Sequence, residues 1–173
     1  MVSILKYIDE TDKSLGIAGM AISLVACDGD EYLSAVSMEP GEEPLAMAEE
    51  FFFSGNPRFS AKIAWNELLK QYQITLAMLL GNVICRAFAA GHSPSSQAMD
   101  AVRKIACEHG AEFCELDTDE IEGLFNKNYA YYNRLFSHPT VNVVARDFAG
   151  TLRDRRRMTA GEVLEALHRL NSL

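Results

Sequence analysis

The chain has 173 residues, of which 49% are apolar and 23% charged, with a formal net charge of −8. That length and composition fit one ordinary globular domain that needs no disulfide staples, and they argue against compositional disorder. The acidity is uneven. Up to Ser60 there are three bases (Lys6, Lys13, Arg58) against eleven acids, whereas from Lys127 onward eight bases face four acids. An acidic chain repels phosphate backbones, so no nucleic-acid partner is expected.

The first predicted helix covers Ser14 to Cys27. It is rich in small residues (Gly16, Ala18, Gly19, Ala21, Ser23, Ala26), a composition that suits close approach by a neighbouring helix. Tyr32 to Met38 alternates in a way that fits a short strand or a helical extension, and is read as helix. Glu39-Pro40-Gly41 breaks the chain. Pro44 then opens a helix to Phe53, with Glu42 and Glu43 at its positive end. Three consecutive rings, Phe51, Phe52 and Phe53, would fan about 100° apart on such a helix. One face cannot bury them all, so they are the expected interface residues.

Residues 60–90 read as the longest helix and the centre of the fold. Trp65, Leu69, Tyr72, Leu76, Leu80, Val83 and Ala87 recur at three- and four-residue steps, and Gly81 marks a kink or a tight crossing. Ser93 and Pro94 suit the start of the next helix, with Gly110 at its end. Asp117 to Glu120 and Thr159 to Glu162 are capping boxes for two further helices. Ser137-His138-Pro139 separates the first of these from a helix that carries Val141, Val144, Phe148 and Leu152. The resulting expectation is an all-α, irregular bundle of six or seven helices in a single domain spanning 1–173.

The apolar runs Leu15–Cys27 and Ile74–Cys85 are shorter than the roughly 20 residues that cross a bilayer, so no membrane span is expected. Leu24-Val25-Ala26-Cys27 resembles the lipobox of bacterial lipoproteins, which implies cleavage before Cys27 and lipidation of its thiol. Asp9, Glu10 and Asp12 stand where such a leader is positively charged, so the run is read as a first helix and the chain as cytoplasmic. The four cysteines (Cys27, Cys85, Cys107, Cys114) are then reduced thiols.

No nucleophile elbow, phosphate loop or dinucleotide fingerprint occurs. Cys107, His109 and Cys114 lack the paired spacing of a zinc site, and no Glu-x-x-His pair suggests a di-iron site, so no metal and no cofactor are expected. Three groups remain. Asn82 and Arg86, one turn apart in an apolar stretch, would join Tyr129 and Tyr131 in a small-molecule site between helices. Arg153, Arg156 and Arg157 would bind an anion or an acidic protein. The phenylalanine cluster would support self-association as a dimer. An interaction or regulatory module is the leading reading, and a small-molecule binder or small enzyme the alternative.

Overall fold

A computed structural model describes residues 6–52 and 60–172. Among them are six α-helices: α1 (Glu10–Ala26), α2 (Ala61–Ala89), α3 (Ser96–Cys114), α4 (Thr118–Ser137), α5 (Pro139–Arg155) and α6 (Ala160–Leu167). A small antiparallel sheet of β1 (Leu33–Ser37), β2 (Leu45–Met47) and β3 (Arg157–Thr159) lies in the order β2-β1-β3. The all-α bundle around a long central helix is thus the architecture of the chain, with the sheet as its one non-helical addition. α2 packs against α1, α3, α4 and α5.

Local chemistry sets the helix ends. Asp9 Oδ1 accepts from Asp12 N at 2.8 Å and caps α1. Both capping boxes form: Asp117 with Glu120 before α4, and Thr159 with Glu162 before α6. Pro139 occupies the first turn of α5, where its missing N–H costs nothing. The α3 cap is Ser95 rather than Ser93, because Ser95 Oγ reaches Ala98 N at 3.2 Å. Gly110 does not stop α3. A Cβ there would lie 2.9 Å from Ile121 Cγ1, so this glycine serves close packing against α4, and the helix runs on to Cys114.

The helix expected over Tyr32 to Met38 is instead strand β1, and the helix expected from Pro44 to Phe53 is, up to Phe52, strand β2 followed by a 3-10 turn, Glu49–Phe51. Pairing overrides helix propensity here. Val36 faces Leu45 on one side and Met158 on the other. All three side chains are buried, so the sheet turns an apolar face to the core.

The small residues of α1 do what their size suggests. An ideal Cβ on Gly19 would lie 2.6 Å from Cys85 Cβ, and Gly19 and Gly81 face each other backbone to backbone. Ser23 Oγ fills the remaining space at Gly81 and is buried without a hydrogen-bond partner among the described residues. Gly81 is therefore a crossing point. Ile17, Ala18, Ala21 and Leu24 are fully buried, so cleavage before Cys27, as the lipobox resemblance implies, would remove one of the main walls of the core. By length and composition α2 is apolar enough to cross a membrane, but 78% of its most apolar window is buried against the other elements, as in a core helix.

Candidate functional site

A groove of about 370 Å³ opens on one face of α2. Leu68, Gln71, Tyr72 and Thr75 form its floor, at spacings of three and four residues that place them on one side of the helix. One wall is the 3-10 turn Glu49–Phe51 with Phe52; the other is α3, through His109 and Phe113. A narrower recess of about 120 Å³ continues from it, sharing Phe51, Phe52 and Thr75 and reaching Met20, Met47, Met78 and Leu79. From Leu68 to Leu79 the two together follow α2 for ~16 Å, eleven residues at the helical rise.

The phenylalanines do not fan around a helix. Phe51 turns inward, 3% exposed, with its ring 5.5 Å from those of Tyr32 and Phe52. Phe52 turns outward, 58% exposed, and Phe53 lies outside the described residues. Opposite, Phe113 is 54% exposed and meets His109 edge to face at 5.6 Å.

The α3 wall is tied to the α2 floor beneath the groove. Trp65 Nε1 donates to Cys114 O at 3.1 Å, Cys114 Sγ to Leu68 O at 3.5 Å, and Tyr72 Oη to Ala106 O at 3.2 Å. Burial pushes the Tyr72 hydroxyl up to about 12, so it stays a neutral donor. On the other wall, Gln71 Nε2 donates to Phe51 O. The groove is consequently preformed, with Gln71 and Tyr72 occupied by bonds that shape it. Ending α3 at Gly110 concealed this site: only in a continued helix do His109 and Phe113 fall one turn apart on the same side.

Asn82 and Arg86 stand elsewhere, in a closed network under the N-terminal segment. Asn82 Nδ2 donates to Tyr7 Oη at 2.9 Å, and Arg86 is held by Asp12 and by Lys6 O. Asn82 is fully buried. Neither residue is among those lining the described cavities, and their hydrogen-bond partners are Tyr7, Asp12, Lys6 and each other. Arg86 is paired with the Asp12 carboxylate instead of facing a ligand.

Tyr131 borders a separate recess of about 230 Å³, with Cys27, Lys70, Lys127 and Asn128 among its lining. Lys70 is engaged there by Glu31 Oε1 at 3.1 Å and Tyr32 Oη at 2.9 Å. Burial pushes the Cys27 thiol up to about 11, which leaves it protonated and a poor nucleophile at neutral pH. Tyr129 is half-buried against the core.

The arginine cluster is largely used within the chain. Arg156 binds Glu10 Oε1 at 2.8 Å and Glu39 Oε1 at 3.1 Å, and Arg157 lies 3.7 Å from Glu42 Oε1. Acids of the N-terminal third thus answer the bases of the C-terminal third. Arg153 is half-buried on α5. Among the described residues no group of three His, Cys, Asp or Glu side chains is placed to hold a metal ion, and all four cysteines are free. No protein-family model matches the chain, and no curated protein matches it at a significant level.

Proposed function

We propose that this chain acts as an interaction module, and that the groove over Leu68 to Thr75 receives apolar side chains from another polypeptide. The observation that carries the reading is the pair of aromatic rings, Phe52 and Phe113, each more than half exposed on opposite walls of an apolar groove. Exposed aromatic rims over a desolvated hollow are where interfaces concentrate their binding energy. The self-association expected from the sequence is one form of this reading, with a second copy supplying the side chains.

A second reading, capture of a small apolar molecule, is favoured by the volume of the groove, about 370 Å³, which falls within the range of small-molecule sites. Native mass spectrometry of the full-length protein and of Phe113→Glu separates the two. Protein-only masses support polypeptide docking, and an oligomer lost in Phe113→Glu identifies a second copy as the occupant. A retained organic molecule at full stoichiometry, lost in Phe113→Glu, would overturn docking in favour of the second reading.

A further inference from the structure

The groove is apolar inside and acidic outside. Glu43 borders the narrow recess. Glu49 and Glu50 lie exposed on the turn that carries Phe51 and Phe52, and Glu112 is exposed on α3 next to Phe113. The segment supplying the turn belongs to the first 60 residues, which hold eleven acids against three bases. A second copy would bring the same acids into its own rim, and like charges across an interface oppose association. The long dimension of the hollow follows α2 for ~16 Å, the length of three helical turns. At its far end Met20, Met47 and Met78 surround the narrow recess, and methionine adapts to the shape of whatever side chain enters.

We infer that the occupant of this groove is a basic amphipathic helix of a different chain, its apolar face along Leu68 to Leu79 and its lysines or arginines opposite Glu43, Glu49, Glu50 and Glu112. This rests on the docking reading above. Anchors spaced i, i+3 or i+4, and i+7 on the partner match the spacing of the floor residues. The aromatic rims exclude water from the anchors, and the acidic border steers the approach and sets orientation.

The test uses the full chain and three synthetic 18-residue peptides free of tryptophan: an amphipathic Leu/Lys helix, its twin with Glu in place of Lys, and a Leu/Lys scramble without an apolar face. Trp65, the only tryptophan of the chain, sits beside the groove, so its emission reports occupancy, and anisotropy of labelled peptide gives affinity. The amphipathic Leu/Lys peptide is expected to bind and shift Trp65 emission, with affinity falling as salt rises. The Glu twin and the scramble should each bind about tenfold more weakly or worse. Phe113→Ala should cost about tenfold in affinity with an unchanged thermal midpoint. A quadruple Glu→Gln variant at 43, 49, 50 and 112 should close most of the gap between the twins.

Equal binding of both twins, still dependent on Phe113, would overturn the charge assignment and leave the docking reading standing. Equal binding of the scramble would reduce the effect to charge alone and overturn the inference. So would a dimer split by Phe113→Ala, which would make a second copy the occupant. Failure of all three peptides to move Trp65 would overturn the inference and the docking reading together.

Discussion

Arg86 and Asp12 form a two-pronged ion pair between α2 and α1: Nε donates to Oδ1 at 2.6 Å and Nη2 to Oδ2 at 2.5 Å. The pair is 18% exposed on each side. Arg86 also donates to Lys6 O at 3.0 Å and lies over the Tyr7 ring at 5.0 Å, so one guanidinium fastens the N-terminal segment to the central helix. Burial pushes the Asp12 carboxyl up. The Arg86 hydrogen bonds, the Ile8 N–H and the Arg86 charge outweigh that and hold it below its ordinary value of 3.8. A depressed carboxyl contributes stability above the unfolded-state value and loses it as pH falls through the folded-state one. Asp12→Asn should therefore flatten the acid limb of a stability-against-pH curve below about pH 4. Asp12→Ala at neutral pH should cost about 2 kcal/mol, between the ranges for exposed and buried pairs. Urea melts from pH 3 to 7 check both; an unchanged acid limb in Asp12→Asn would remove the ion pair from this role.

Two of the helical glycines, Gly81 and Gly123, should respond to alanine with opposite signs. A Cβ at Gly81 would collide with Ser23 Oγ and with Gly19 O, whereas one at Gly123, on the exposed side of α4, meets nothing within 4 Å. Gly81→Ala forces α1 and α2 apart and should destabilise by about 2 kcal/mol or more. Gly123→Ala removes backbone freedom from the unfolded chain and should stabilise by about 0.5–1 kcal/mol. Paired thermal melts decide it, and equal shifts of one sign would refute the crossing.

Arg156 combines two roles that substitutions can separate. Its backbone ends α5 at φ 65° in the left-handed region, and its side chain joins Glu10 and Glu39. Its carbonyl also accepts from Met38 N at 2.8 Å and aligns β3 with β1. Both Arg156→Gly and Arg156→Ala delete the ion pairs, but only glycine is at ease in this backbone conformation. Arg156→Gly should melt above Arg156→Ala, and high salt should narrow the difference between wild type and Arg156→Gly without changing that order. An alanine variant that melts at or above the glycine variant would show that the backbone conformation is unimportant.

Much of the helical frame was legible in the sequence because its signals are local. The capping boxes at Asp117 and Thr159 act across three residues, the stripe through α2 repeats within one turn, and the small residues of α1 announce a close neighbour without naming it. Gly81 already marked a kink or a tight crossing, and the packing of α1 decided for the crossing. What only the tertiary structure decided depends on residues far apart in the chain. Val36 becomes strand because Leu45 and Met158 flank it, the latter 122 positions away, and no window around Tyr32 to Met38 contains that information. Phe51 and Phe52 face Phe113 across Leu68 and Tyr72 only once α3 runs past Gly110 and bonds to α2 through Cys114. Helix signals are written in neighbouring residues; the groove is made by three segments that meet only when the core closes.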